Sequence, residues 1–253
     1  MKKHRWFATL AVMVMALAVG GCSDGSSGNE FATGSSVESG NSSGTGNSGV
    51  YYSKCAVGDF VLKDGTILSK DETPESGTVA AVIVRAATND KPALGVGIVH
   101  NRSGLAWCKE SAAGYSTNIT ALQGDKTTDY TDGSDGWEKL KAACSDAESN
   151  PENYPAWNYS LTYAKNNGLT GALATGWYLP TVAELYTIYQ NKTAVNASLS
   201  KAGGSKFGTR WYWSCSQIPS NDRGARELNF GHGGMHGDYK YNYSYVCSVR
   251  AFN

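Results

Sequence analysis

Residues 176–185 read Gly-Trp-Tyr-Leu-Pro-Thr-Val-Ala-Glu-Leu, and this stretch is the most informative about the fold of the 253-residue chain. Pro180 ends an extended segment, because proline restricts the residue before it and donates no backbone hydrogen bond. Thr181 and Glu184 have the spacing of a capping box, in which each side chain accepts a hydrogen bond from the other residue's backbone N–H. Leu185 and Ile188 follow at helical spacing. We therefore predict a capped helix that starts at Thr181, with Leu185 in the core.

Strand and helix patterns precede this stretch. Residues 79–87 and 94–100 are short runs rich in β-branched side chains, and the turn-forming segment between them predicts a strand pair. Residues 136–147 and 157–164 place apolar side chains on one side at helical spacing, which predicts two helices packed on a sheet.

The pattern after residue 203 is aromatic and glycine-rich alternation. It predicts three strands, at 211–214, 225–230 and 245–252, separated by glycine-rich loops. In the first of them, Trp211 and Trp213 should lie on one face and Tyr212 on the other. Strands early, helices in the middle and strands late indicate an α+β protein, with helices packed on short antiparallel sheets and much irregular structure.

The first 50 residues indicate export. Residues 1–21 have the basic start, apolar stretch and small residues of a secretory signal. A retained transmembrane helix is the less favoured interpretation, because the apolar stretch is short for a bilayer. The small residues before Cys22 resemble a bacterial lipobox, so we expect Cys22 to carry the lipid rather than to be one more buried thiol. Residues 22–50 are a Ser/Gly-rich tether, and residues 51–253 form one domain. We expect a lipid-anchored protein of the cell envelope, at its outer surface.

Charge and composition exclude two classes of protein. The chain has 22 Lys and Arg against 22 Asp and Glu, so no long-range field would attract a polyanion, and we expect no nucleic-acid partner. An aromatic content of 11% can bury a core, which argues against generic disorder.

Four blocks in order, at 176–185, 212–216, 225–230 and 249–252, carry a family resemblance. They resemble the DUF1566 group, also called the Lcl C-terminal domain, which is similar to the formylglycine-generating-enzyme branch of the C-type lectin fold. The resemblance covers about residues 55–252 and implies that these blocks are scaffold. Formylglycine-generating enzymes use two reactive C-terminal cysteines, for which Cys215 and Cys247 are the candidates here.

A second resemblance concerns residues 210–247. Some proteins of this fold are variable targets of diversity-generating retroelements, which favour Asn, Tyr, Ser, Asp, His, Gly and Arg on a fixed framework. The intervals between framework residues here contain that set. We therefore expect Trp213, Phe230 and Val249 to be buried and the residues between them to lie together on one exposed face.

The tyrosines at 239, 241, 243 and 245, flanked by Asn, Ser, Asp and Gly, have the chemistry of an antibody paratope, with rigid amphipathic rings and small polar groups. Tyr245 adjoins the framework and should belong to the core. The alternative is that alternate tyrosines merely cover a sheet face. The candidate ligand-binding residues are Arg210, Tyr212, Asn221, Asp222, Arg223, His232, His236, Asp238, Tyr239, Tyr241, Asn242 and Tyr243.

Other chemistry has weaker support. His232 and His236 have metal-ligand spacing only on a helix, which the surrounding glycines disfavour, so we expect no metal there. A calcium loop at Asp125, Asp129, Asp132 and Asp135 lacks the EF-hand pattern, and solvated turns explain these residues equally well. We therefore expect no cofactor. Five cysteines remain after Cys22, and a Cys215–Cys247 disulfide is one option.

The expected function is that of a surface-displayed bacterial lipoprotein, not an enzyme, which binds a macromolecular or carbohydrate ligand. Its partners would be an unknown protein or glycan, and the membrane through the lipid anchor. The alternatives are an oxidase of the formylglycine-generating kind, and a structural envelope lipoprotein with no dedicated ligand.

Overall fold

The computed structural model describes residues 52–127 and 132–253. The expected signal peptide, Cys22 and the tether lie outside the described residues, as does Asp129. In the described part, no helix has the length and apolar character needed to cross a membrane.

Eleven strands and five α-helices make up the described chain. The strands are β1 (Phe60–Leu62), β2 (Ile67–Leu68), β3 (Val79–Arg85), β4 (Ala93–Gly97), β5 (Asn101–Ala106), β6 (Trp177–Tyr178), β7 (Trp211–Gln217), β8 (Gly224–Asn229), β9 (Met235–Tyr239), β10 (Tyr243–Val246) and β11 (Val249–Phe252). The helices are α1 (Gly136–Ala143), α2 (Pro155–Leu161), α3 (Tyr163–Asn166), α4 (Val182–Gln190) and α5 (Lys192–Lys201). The predicted α+β class is confirmed.

The strands form two sheets. The first has the order β2-β1-β3-β4-β11-β6, and every neighbouring pair in it is antiparallel. The second has the order β5-β10-β7-β8-β9, in which β10 and β7 are parallel and the other pairs antiparallel. The predicted early strand pair is β3 with β4, with Val82 opposite Val96.

Three apolar clusters bury both faces of both sheets. One lies between the sheets and the helices α4 and α5, and joins Val82, Leu185 and Tyr212. The second covers the other face of the second sheet with Trp107, Trp157 and Trp213, and the third covers the first sheet with side chains such as Ile83 and Phe252. A strand covered on both faces needs a continuous apolar run, which explains the sequence of β3, Val-Ala-Ala-Val-Ile-Val-Arg.

Helix α4 forms as predicted. The Thr181 hydroxyl accepts a hydrogen bond from the Glu184 N–H at 3.1 Å, and the Glu184 carboxylate accepts one from the Thr181 N–H at 2.9 Å. Leu185 is fully buried, and so are the framework residues Trp213, Phe230 and Val249. The predicted scaffold role of these residues is confirmed.

The predicted boundaries of the late strands were wrong in two places. Residues 245–252 do not form one strand: β10 belongs to the second sheet and β11 to the first, because the chain crosses between sheets at Cys247 and Ser248. Strand β9 was expected to be loop. It forms because its backbone pairs with β8 over five residues, despite its polar, glycine-containing sequence.

Candidate recognition surface

Exposed tyrosines cluster where β9 turns into β10. Tyr243, Tyr239 and Tyr241 are 76%, 52% and 37% exposed, and they are three of the five large hydrophobic side chains exposed in the described residues. Tyr239 ends β9 and Tyr243 begins β10, so the three tyrosines lie at or between the adjoining ends of these two strands in the sequence. Exposed aromatic side chains in a group usually indicate recognition.

Four side chains pack one against the next in a continuous row, which we call the aromatic ladder: Arg223, Tyr115, Tyr241 and Tyr239. The rings of Tyr239 and Tyr241 stack with centroids 5.6 Å apart and planes 15° apart. Tyr241 lies 6.0 Å from Tyr115, and the Arg223 guanidinium carbon lies 5.7 Å from the Tyr115 ring centroid. The ladder therefore joins three segments that are distant in sequence.

A second group surrounds Trp211, which is half-buried at the start of β7. His232 and His236 pack against the indole with ring centroids 5.9 and 5.6 Å away. We call these three residues the histidine–tryptophan cluster. The two imidazoles pack on one indole, and the described residues contain no group of three or more His, Cys, Asp or Glu side chains placed to hold a metal.

Glu227 lies under this cluster as a buried carboxyl. One of its oxygens accepts a hydrogen bond from the Ser244 hydroxyl at 2.5 Å, and the other lies 3.5 Å from His236 Nδ1. Burial raises the pKa of Glu227, and the negative charge of Asp238 acts in the same direction. The exposed imidazole of His236 therefore covers a carboxyl that burial makes easier to protonate.

The two groups meet along β9. A depression of about 280 Å³ is lined by His236 of the histidine–tryptophan cluster and Tyr239 of the aromatic ladder, with Asn221 and Asp238 between them. Asp238 accepts hydrogen bonds from the Tyr239 N–H and the Asn242 amide, both at 2.8 Å. Together these residues make one continuous surface, which we call the recognition surface.

The predicted site residues fall into three sets. The structure brings Asn221, Arg223, His232, His236, Asp238, Tyr239, Tyr241 and Asn242 into the recognition surface. Asp222, Arg210 and Tyr243 are exposed, the first two adjacent in sequence to Arg223 and Trp211. Tyr243 packs beside Gly104 of β5, where any residue with a side chain would place its Cβ only 3.1 Å from the Cβ of Tyr243.

Tyr212 is not a surface residue, and its prediction as a ligand contact was wrong. It is 1% exposed, and its hydroxyl lies 3.3 Å from Nδ1 of the buried His100. Trp213 packs in the cluster on the other face of the sheet, as alternation along a strand requires. The face that carries Tyr212 is the one that packs against the first sheet.

Tyr115, Trp211 and Lys240 are parts of this site that the sequence did not indicate as ligand contacts. Tyr115 comes from a short 3-10 turn more than 100 residues before the rest of the ladder. Lys240 lies between two exposed tyrosines yet is fully buried. No local pattern identifies such residues, because their roles depend on contacts between distant segments.

Cys215 and Cys247 are buried and are not joined to each other. They belong to different core clusters, Cys215 with Trp213 and Cys247 with Tyr212. Burial raises the pKa of the Cys247 thiol well above its ordinary value, which disfavours the reactive thiolate. The option of a Cys215–Cys247 disulfide was therefore wrong.

The acidic loop uses its carboxylates locally. Asp125 accepts hydrogen bonds from the Thr127 N–H and hydroxyl, and Asp132 does the same for Ser134. Asp135 forms an ion pair with Lys139 at 2.8 Å. The described carboxylates therefore act as turn caps and as a helix ion pair.

A larger depression, of about 420 Å³, is lined by none of the predicted ligand-binding residues. It is lined by Arg85, Lys126, Glu184 and Tyr186, among others. Lys126 is held there by the Gly233 carbonyl at 3.0 Å and lies 4.9 Å from the Tyr186 ring centroid.

The fold and this surface define an α+β domain of two sheets with an exposed aromatic surface at one end of the second. The family model of the Lcl C-terminal domain matches residues 97–250, which is more than half of the chain. The chain therefore belongs to the Lcl C-terminal domain family.

Among solved structures, the chain is similar to a fimbrial protein from Bacteroides ovatus, with 14% identity and a TM-score of 0.59. The match covers 78% of this chain and 49% of that one, so the chain spans about half the length of the fimbrial protein. At this identity the likeness shows the fold alone. No curated protein matches the chain.

Proposed function

We propose that this protein is a surface-displayed bacterial lipoprotein that binds a macromolecular ligand, a protein or a glycan, through its recognition surface and without catalysis. The observation that carries the proposal is the aromatic ladder, in which exposed rings are held in a row by a buried framework. Rings with few rotatable bonds offer large contact area at low entropic cost.

The surface is open, which favours a large ligand. Its depression is shallow, and Tyr239 and Tyr243 project well into solvent. Small-molecule sites are usually enclosed and bury most of the ligand, whereas aromatic and Arg side chains at the centre of a patch are the usual anchors of macromolecular interfaces.

We further propose that the fold belongs to the formylglycine-generating-enzyme branch of the C-type lectin fold, and that its surface is diversified by a retroelement. The support is the separation of roles in residues 210–247: buried framework residues such as Trp213 and Phe230 alternate with exposed Asn, Asp, His and Tyr. The test is the nucleotide sequence around the gene. A near-identical repeat differing only at adenines supports diversification, and its absence in every strain contradicts it.

The binding proposal is tested with an array of glycans and of purified cell-surface proteins, probed with the full chain. The variant Tyr239→Ala/Tyr241→Ala/Tyr243→Ala should weaken binding to any hit by about 2 kcal/mol or more, which is roughly 30-fold, if these rings are anchors. Its free energy of unfolding should change by no more than about 0.5 kcal/mol per site, because the side chains are exposed.

The chain offers a matched control for these tyrosines. Val99 and Leu161 are the other two large hydrophobic side chains exposed in the described residues, and neither lies in the recognition surface. Val99→Ala/Leu161→Ala should leave binding unchanged. Equal binding by the tyrosine variant and this control would refute the proposed function, and so would unfolding of the tyrosine variant.

A further inference from the structure

Lys240 is a buried lysine in the middle of an exposed segment. Its side chain is fully buried, between Tyr239 and Tyr241. Its ammonium nitrogen donates to the carbonyl oxygens of Gly114 and Asp222, both at 2.6 Å, and of Thr117 at 3.0 Å. It also lies 4.9 Å from the Trp107 ring centroid. Among the described residues no carboxylate forms an ion pair with it.

We call these hydrogen bonds of the Lys240 side chain the Lys240 tie. Each segment that takes part in this tie also carries a member of the aromatic ladder. Gly114 precedes Tyr115, Asp222 precedes Arg223, and Lys240 itself separates Tyr239 from Tyr241. The backbone of Lys240 reinforces the tie, because its N–H donates to the Arg223 carbonyl at 2.9 Å and its carbonyl accepts from the Cys108 N–H at 3.1 Å. One residue therefore connects all three segments of the ladder.

We propose that Lys240 is the positioning residue of the recognition surface: its side-chain nitrogen holds segments 113–117, 221–223 and 239–242 together, so that the ladder is formed before a ligand arrives. The role of Lys240 in ligand binding rests on the proposed function, whereas its hydrogen bonds to the three segments do not. A surface that is already ordered loses less conformational entropy on binding, which strengthens affinity without any new contact.

The chemistry of the site explains why a lysine is needed there. Three carbonyl oxygens from two loops converge on one point. An apolar side chain would remove the side-chain donor from the carbonyls of Gly114 and Asp222, whereas the Thr117 carbonyl would still accept a hydrogen bond from the Gln217 amide at 3.1 Å. An ammonium group has three N–H donors and no acceptor, so it matches three carbonyls. The face of Trp107 adds a favourable contact for the positive charge.

Burial nevertheless disfavours the charged form of Lys240. Burial lowers the pKa of Lys240 to about 8, although Cys108, Cys144 and Asp222 act in the opposite direction. Burial raises the pKa of Cys108 to about 12 and also that of Cys144. Burial opposes ionisation of Asp146, but hydrogen bonds from Tyr154 and the Ala113 backbone hold its pKa below the ordinary value. Neither thiol nor Asp146 therefore titrates near pH 8.

The lowered pKa gives the tie a pH dependence of definite sign. When the segments open, the lysine is solvated and its pKa returns toward 10.5, so the open state binds more protons between about pH 8 and pH 10.5. Raising the pH through this range therefore favours the closed state, because the buried charge is lost while the neutral amine keeps two N–H donors for the carbonyls of Gly114 and Asp222, both 2.6 Å away. Protection of the three segments should increase above about pH 8.

Hydrogen exchange with millisecond mixing tests the proposal on the full chain, after correction for the intrinsic rate at each pH. In Lys240→Met, exchange in the three segments should accelerate by about tenfold or more relative to wild type. Lys165→Met, which changes an exposed lysine on α3, should have no effect. Unchanged exchange in folded Lys240→Met would overturn the inference.

The pH dependence of hydrogen-exchange protection separates a positioning role from a merely structural one. It can be measured on the wild-type protein even if Lys240→Met does not fold. Wild-type protection in the three segments should rise about tenfold or more between pH 7.5 and pH 9.5, with no such rise in Lys240→Met. A flat wild-type profile would overturn the inference. Unchanged ligand binding by the tyrosine variant would instead refute the proposed function and leave the measured tie in place, so the two failures are distinguishable.

Discussion

At the scale of single residues, Glu184 shows how one buried carboxyl holds several segments together. It accepts hydrogen bonds from the Thr181 N–H at 2.9 Å, the Gly133 N–H at 3.2 Å and the Tyr178 hydroxyl at 2.8 Å. Burial raises its pKa to about 7, although these hydrogen bonds act in the opposite direction. A group in this position contributes more stability when protonated.

The raised pKa of Glu184 predicts a loss of stability as the pH rises. Between about pH 4.5, the ordinary value, and pH 7, the folded state binds more protons than the unfolded state, so this contribution is complete below pH 4.5 and is lost as the pH rises through 7. The full effect is about 3 kcal/mol. Urea unfolding at pH 5 and pH 8 measures it.

The matched variant for this experiment is Glu184→Gln, which keeps the size of the side chain and removes the titration. The difference between the two proteins isolates Glu184 from His100, whose pKa burial lowers to about 3 and whose effect on stability has the opposite sign. The variant should lose the fall in stability between pH 5 and pH 8 that wild type shows. Identical pH dependence in both proteins would contradict this assignment.

Residue identity in the recognition surface could be predicted only in part. Tyr239, Tyr241 and Tyr243 are recognisable because paratope chemistry is a matter of composition. Tyr212 could not be assigned, because alternation along β7 places it opposite Trp211 and Trp213 but does not say which face binds ligand. Tyr115 and Lys240 act through contacts with segments more than 100 residues away, and a sequence contains no local trace of such contacts.

At the scale of elements, helix α4 is fixed by its cap and its buried face. Truncating the core in Leu185→Ala should destabilise the protein by about 2–5 kcal/mol, because it leaves a cavity in a fully buried position. Removing the cap in Thr181→Ala should cost only about 0.5–2 kcal/mol. Chemical denaturation of both variants tests this order, and equal, negligible losses would contradict the packing of α4.

Elements with strong local signals were predictable and those formed by pairing were not. Helix α4 has a capping box and helical spacing, and β3 has a long β-branched run, so each is recognisable alone. Strand β9 has the sequence Met-His-Gly-Asp-Tyr, which favours a loop, and only its pairing with β8 makes it a strand. The switch between β10 and β11 likewise depends on which sheet each half joins.

At the scale of the whole molecule, a two-sheet body with buried apolar clusters carries an exposed surface of polar and aromatic side chains. Apolar clusters cover both faces of both sheets, and each large side chain buried in them contributes about 1.5–3 kcal/mol. Exposed residues at the end of the second sheet can then change without loss of the fold. This separation of roles is what a diversified binding protein requires.

Anchoring is the second property of the whole molecule that can be tested. Cys22→Ser, expressed with a secretory signal that is cleaved without lipidation, should move the protein from the membrane to the soluble fraction, since the proposal makes acyl chains on Cys22 the anchor. Cys55→Ser, which changes a buried cysteine of the domain, is the matched control and should stay with the membrane. Membrane association of both variants would contradict the lipoprotein proposal.

Hydroxyl-radical footprinting of the protein with and without a ligand from the array tests the central claim most directly. Binding should protect Tyr239, Tyr241 and Trp211 from oxidation, and leave Leu161 and the Tyr186 ring of the 420 Å³ depression as reactive as in the free protein. Protection of Tyr186 or Leu161, with Tyr239 and Tyr241 unchanged, would place ligand binding elsewhere and contradict the account.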